Sequence, residues 1–179
     1  MRNNRLFRYL KSGGLIIYPT ESCFGIGCDP SNIKAIRKII TLKKRNIDKN
    51  FILISSCIDN ASSFIQPLNN KKLYQAQKKW PGAHTWLIES KINCPNWLKK
   101  NDTVALRIPS FKPCYDLCRS LDIPIISTSA NISGKKSIKK YREAYRQFHK
   151  KSKIIKGVIG KNQKPSTIQD LNTGKIIRP

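Results

Sequence analysis

Short apolar runs rich in β-branched residues alternate along this chain with segments of helical spacing, and that alternation narrows its fold more than any other feature. LIIYPT (15–20), FILIS (51–55), HTWLIE (84–89), TVALRIP (103–109) and IPIISTSA (123–130) each read as a strand. Between them stand NIKAIRKIITLKKR, with Ile33, Ile36 and Ile40 at helical intervals, NNKKLYQAQKKW, ended by Pro81-Gly82, and KPCYDLCRSL, with Pro113 near its first turn. Asp29-Pro30-Ser31 supplies the start signal of the first of these helices. A basic helix, SIKKYREAYRQFHKK, follows the fifth strand. KIIKG, STIQDL and KIIRP then read as short closing strands, with Asn172-Thr173-Gly174 as a hairpin turn. Such alternation buries a sheet under helices, so the expected fold is α/β, one domain over residues 1–179 with a twisted open mixed β-sheet and flanking helices. A chain of 179 residues can bury a core of this kind without a disulfide or metal staple.

Several function classes drop out. No segment approaches the roughly 18 consecutive apolar residues of a membrane span, and MRNNRLFRYLKSGG has neither an apolar core nor a cleavage site for secretion, so a cytoplasmic protein with no membrane partner is expected. The six cysteines form no Cys-x-x-Cys, and only His84 and His149 are present to complete a mixed site, so no resident metal is expected and the cysteines read as small apolar packing residues. The formal net charge of +25 admits two causes. One is a polyanionic partner, nucleotide or RNA, attracted by steering and counterion release. The other is a compositional drift toward Lys, Asn and Ile across the surface.

Local placement is more informative than total charge. Ligands of open α/β sheets bind beyond strand ends. Here those ends carry Thr20 and Ser22 after the first strand, Arg107 inside the fourth, and Ser127, Thr128, Ser129 and Asn131 after the fifth. LKKRNIDKN puts Lys43 and Arg45 just past a predicted helix; in extended chain, residues two apart face the same side, so the pair either clamps a phosphate or belongs to a solvated basic surface. Arg107 stands between Leu106 and Ile108, where it meets either a ligand anion or solvent on the polar face of its strand. No Walker loop and no G-x-S-x-G elbow is present, and Gly25-Ile26-Gly27 alone does not make a dinucleotide site. Cys23 has no base beside it in sequence, and His84 reads as a strand residue with ordinary hydrogen bonds.

Taken together, GGLIIYPTESCFGIGCDP, LKKRNIDKN, WPGAHTWLI, VALRIP, STSANISG and PSTIQDLNTGKIIR resemble, in order and spacing, the YrdC/TsaC family of threonylcarbamoyl-AMP synthases, in its short bacterial form. The resemblance implies a YrdC-like fold with a large basic concave cleft. It also implies a nucleotidyltransferase that joins L-threonine, bicarbonate or carbon dioxide, and ATP into threonylcarbamoyl-adenylate and pyrophosphate. Mg2+ would accompany the ATP. The product would pass to a threonylcarbamoyl-transferase complex of the TsaD/TsaB/TsaE kind, which modifies the anticodon-adjacent adenosine of tRNA, and direct tRNA contact is a further implied partner. Carried over by position, Thr20, Arg107, Ser127 and Ser166 would bind threonine. Lys43 and Arg45 would act catalytically on the ATP phosphates, with Ser129, Asn131 and Arg178 also binding the nucleotide. Asn46 and Asn50 stand where the family commonly has Pro or Gly, and Ala83 where Pro is more usual, but no charged or hydroxyl ligand is missing.

Two other classes remain to be weighed. A non-catalytic RNA-binding module accounts for the charge, but not for hydroxyls converging with Arg107. The fold-related sugar-phosphate synthase of riboflavin biosynthesis needs clustered acidic metal ligands, which ten scattered carboxylates do not supply.

Overall fold

The computed structural model describes residues 4–44, 51–162 and 164–179, and in it one side of a single sheet is left partly uncovered. Its strands are β1 (Ile16–Pro19), β2 (Phe24–Cys28), β3 (Ile52–Ile54), β4 (His84–Glu89), β5 (Lys99–Lys100), β6 (Thr103–Arg107), β7 (Ile125–Ser129), β8 (Lys153–Ile154), β9 (Thr167–Asp170) and β10 (Ile176–Arg178). The order across the sheet is β10-β9-β4-β6-β3-β7-β2-β1-β8, with β5 paired to β6. Parallel pairs (β1/β8, β3/β6, β4/β9) mix with antiparallel ones, as the alternation of elements predicts. The helices are α1 (Asn4–Lys11), α2 (Ile33–Lys43), α3 (Asn70–Gln77), α4 (Lys112–Leu121) and α5 (Tyr141–Phe148). No helix among the described residues is long and apolar enough to cross a membrane.

Side-chain parity explains the cleft. Successive strand residues point to opposite faces. Ile17, Phe24, Ile26, Leu53, Val104, Leu106 and Ile126 enter a core that also holds Ile36 and Ile39 of α2 and Ala144 and Phe148 of α5. Their neighbours Ile16, Tyr18, Ile54 and Ile125 face the other way and pack with Leu6 and Leu10 of α1 and Cys114, Leu117 and Leu121 of α4. Those two helices cover only part of this second face. Beyond them Gly25, Ile52, Ala105, Arg107, Ser127 and Ser129 line an open cavity.

Three local features differ from the sequence expectation. The segment after Thr20, which the sequence pattern assigns to no element, is a full strand, β2. Its glycines serve close approach: a Cβ on Gly27 would stand 2.5 Å from the Ile126 carbonyl of β7, and one on Gly25 would stand 3.1 Å from Thr20 Cγ2 and the Tyr18 ring. The N-cap of α2 is Asn32, whose side chain accepts from Ala35 N–H at 3.1 Å, while Asp29 accepts from Ser31 N–H and pairs with Lys11. Lys43 is the last residue of α2 and not part of an extended segment, because Lys44 takes the left-handed conformation and its N–H closes back on the Ile40 and Thr41 carbonyls.

Candidate active site

The uncovered face holds a cavity of about 660 Å³, within the range of small-ligand sites. Thr20, Arg107, Ser127, Ser129, Ser166 and Arg178 all line it. Lys43 and Asn131 stand directly behind Ser129, and Arg45 lies outside the described residues. Among the described lining residues the cations Lys100, Arg107 and Arg178 outnumber the carboxylates Glu21 and Asp170.

Arg107 closes β6, where the period of two that buries Val104 and Leu106 turns Thr103, Ala105 and Arg107 toward the cavity. Its partner is neither solvent nor a waiting anion alone: Nη2 donates to Glu21 Oε1 at 2.5 Å and Nε donates to the Gly82 carbonyl at 2.9 Å. These bonds occupy one edge of the guanidinium. The other edge, Nη1 and the second Nη2 hydrogen, meets no acceptor among the described residues, and it is a fork of the shape that receives a carboxylate.

The hydroxyls are held by their neighbours. Thr20 N–H and Oγ1–H both donate to the Cys23 carbonyl, at 2.9 and 2.7 Å, so the Thr20 oxygen meets the cavity as an acceptor. Tyr18 O–H donates to Ser127 Oγ at 2.7 Å; burial pushes the phenol's pKa up, which keeps it a neutral donor and leaves the Ser127 hydrogen to point elsewhere. Ser166 Oγ shares a 2.8 Å bond with Thr85, and the Ser166 carbonyl receives Arg178 through Nε at 3.0 Å and Nη2 at 2.7 Å. Burial and the neighbouring Arg107 charge both lower the pKa of Arg178, an arrangement that favours an arriving anion.

At the other end, Lys43 is only 2% exposed and its ammonium donates to the carbonyls of Ser129 and Asn131, the latter at 2.7 Å. Asn131 Oδ1 accepts from Ser129 Oγ at 2.5 Å, and its Nδ2 donates to the Ile132 and Lys135 carbonyls. Lys43 thus fastens the turn after β7 and does not line the cavity itself.

Two expectations about single residues can be settled here. Cys28 is fully buried and its thiol pKa is raised by burial, a packing residue. His84 differs from its expected ordinary bonding: its ring packs on Trp86 at 4.4 Å, and its buried Nε2 has no hydrogen-bond partner among the described residues. Sequence reasoning gave no role to Glu21, Lys100, Thr103 or Asp170, all of which line the cavity. For Thr103 the signal was present, in the period that also orients Arg107. For Glu21 only its place beside Thr20 hinted at it.

Residues 8–179 match the Sua5/YciO/YrdC family model, which carries the description "Telomere recombination". Among curated relatives, the threonylcarbamoyl-AMP synthase of Methylobacillus flagellatus is 39% identical over 180 residues, covering 100% of both chains. That of Thiobacillus denitrificans is 40% identical over 174 residues, covering 97% of this chain and 93% of its own. Among solved structures, P. abyssi Sua5 complexed with L-threonine superposes with a TM-score of 0.86 at 26% identity, over 98% of this chain and 53% of that one. E. coli YciO gives 0.81 at 26% identity, over 98% of this chain and 87% of the other. The chain therefore spans about half the Sua5 chain and nearly all of the bacterial relatives. With a family model covering all but its first residues, and a strand order that leaves one sheet face open over clustered hydroxyls and guanidinium groups, this chain belongs to the Sua5/YciO/YrdC family.

Proposed function

We propose that this chain is a threonylcarbamoyl-AMP synthase. The observation that carries the reading is the gathering of Thr20, Arg107, Ser127, Ser129, Ser166 and Arg178 on one cavity, in a chain related end to end to proteins of that name. The open edge of Arg107 receives the threonine carboxylate, with Thr20, Ser127 and Ser166 around the rest of the amino acid. The threonine amine captures carbon dioxide, losing a proton, to give a carbamate. One carbamate oxygen then attacks the α-phosphorus of ATP in line, and pyrophosphate leaves from the opposite side.

The nucleophile is already anionic, so the site needs positioning and neutralisation of charge more than a general base. Ser129, Asn131 and Arg178 serve the nucleotide. Lys43 places its buried charge against the Ser129–Asn131 turn at the phosphate end, and Arg45, outside the described residues, is assigned to the same phosphates from the family motif alone. Magnesium, when bound with the triphosphate, would supply charge neutralisation there. Of the two carboxylates on the cavity, Glu21 is paired with Arg107 and Asp170 accepts from the Asn172 and Thr173 N–H groups, so the described residues fit an ion held by phosphate and water and not a protein cage. The reaction belongs to the cytoplasm, and its labile product passes to a transferase complex of the TsaD/TsaB/TsaE kind that acts on tRNA. Threonine-dependent pyrophosphate release from ATP and bicarbonate, without RNA and with L-serine as the comparison, tests the reading. Release that ignores threonine contradicts it.

A specific observation also favours direct contact with RNA. Ten of the 35 cations fall between Lys135 and Lys156, all exposed, against one carboxylate, Glu143, a concentration that even compositional drift does not produce. On α5, in the middle of that stretch, the exposed Tyr145 ring stacks on His149 at 4.9 Å and 11°. A ring platform among cations suits unpaired bases and phosphates. The triple substitution Arg142→Glu, Arg146→Glu, Lys150→Glu is expected to weaken tRNA binding and flatten its salt dependence while RNA-free pyrophosphate release continues. Unchanged tRNA affinity contradicts the contact.

A further inference from the structure

We propose that Glu21 is a positioning residue for the anionic substrate, holding the Arg107 guanidinium so that its open edge faces the cavity. The inference rests on the reading that Arg107 receives the threonine carboxylate.

Arginine is a long side chain with many rotamers, and an unrestrained one would have to be ordered by each arriving substrate. Here ordering precedes binding. The Glu21 carboxylate takes Nη2 and the Gly82 carbonyl takes Nε, two acceptors that fix the plane of the guanidinium and leave one edge for the ligand. Glu21 is only 8% exposed, so its charge acts without the screening that weakens surface pairs.

Glu21 is itself anchored. The Thr20 carbonyl accepts from Gly160 N–H at 2.9 Å and the Glu21 carbonyl accepts from Asn162 N–H at 3.1 Å, so the chain after β8 is tied across the Thr20–Glu21 corner. The approach is close enough that a Cβ on Gly160 would stand 2.8 Å from the Glu21 carbonyl oxygen. The backbone thus fixes the carboxylate, and the carboxylate fixes the fork.

Charge argues the same way. Arg107 and Arg178 are neighbouring cations on the cavity, and each disfavours the other before substrate arrives. The Glu21 carboxylate offsets one of them without standing on the edge the substrate uses.

The test compares L-threonine with L-threoninol, which has a hydroxymethyl group in place of the carboxylate. Binding of each to the full chain is measured by calorimetry for wild type, Glu21→Gln and Glu21→Ala, and the KM for ATP is taken from pyrophosphate release. Wild type is expected to prefer threonine. Glu21→Ala is expected to lower the threonine-to-threoninol affinity ratio by roughly tenfold, almost wholly through threonine, with the KM for ATP little changed. Glu21→Gln keeps an oxygen at the same reach without the charge, and its ratio is expected to fall between the two. Should Glu21→Ala not fold, the drop in Glu21→Gln, about threefold, decides the matter. A purely structural role would weaken both ligands alike, and an unchanged ratio in a folded variant overturns the inference. A wild-type chain that does not bind threonine overturns the parent reading, and this inference with it, so the two failures are told apart.

Discussion

Replacing Lys43 by methionine keeps the length of the side chain and removes its ammonium group. Two carbonyls, those of Ser129 and Asn131, then lose a charged donor; the third contact, to Asn131 Oδ1 at 3.4 Å, is too long to count. Hydrogen bonds to charged groups contribute about 1.5–3 kcal/mol each, so the gross loss is about 3–6 kcal/mol. Relief of burying the charge offsets part of this and leaves a net loss of about 2–3 kcal/mol. In a protein of this size about 2–4 °C of melting temperature goes with each kcal/mol, giving an expected fall of about 5–10 °C. The rate should suffer more, because the Ser129–Asn131 turn loses its fastening at the phosphate end. Slight displacement of that turn misplaces the groups it presents to the nucleotide, and misplacement of this kind costs on the order of a hundredfold, here in pyrophosphate release. Both quantities are read from one preparation by thermal denaturation and a coupled pyrophosphate assay. A Lys43→Met protein that melts and turns over like wild type would refute the placement of this charge.

Gly160→Ala puts a methyl group 2.8 Å from the Glu21 carbonyl oxygen and 2.9 Å from Glu21 Cα, backbone atoms that cannot swing aside; a loss of about 1–3 kcal/mol and a raised KM for threonine are expected from denaturant melts and kinetics. Cys23→Ala should keep near wild-type turnover, since the reaction uses no thiol; near-complete loss in a stably folded variant would restore Cys23 as a nucleophile. Burial and then the Lys79 charge lower the pKa of His84, so the unfolded chain takes up a proton there before the folded one does. Its contribution is therefore intact above the unfolded value near 6.5 and is lost as the pH falls below it. Denaturant midpoints for wild type should drop between about pH 7.5 and 5.5, and His84→Phe should flatten part of that slope; parallel profiles contradict the assignment.

What could be read from the sequence follows the physics that makes each element. LIIYPT, FILIS, HTWLIE, TVALRIP and IPIISTSA are strands because their patterns are local, and all five hold in the structure. The strand FGIGC was hidden because its glycines are chosen by neighbours across the sheet, the Ile126 carbonyl and the Tyr18 ring, which no local pattern reveals. Helix α1 was missed for a similar reason: its apolar face, Leu6 and Leu10, makes sense only against α4. Within the site, Thr20, Ser127, Ser129 and Arg107 were legible as polar residues at strand ends, and the family resemblance added Ser166 and Arg178. The carboxylate on Arg107 was not legible, because Glu21 and Arg107 meet only when β1 and β6 are brought together across the fold.

In the proposed reaction this cavity joins carbamylated threonine to the α-phosphate of ATP. Mass analysis of products from the protein with ATP, magnesium, L-threonine and isotopically labelled bicarbonate tests it most directly. A threonylcarbamoyl-adenylate carrying the bicarbonate carbon is the predicted product. A threonyl-adenylate without that carbon, or ATP left intact, would contradict the account.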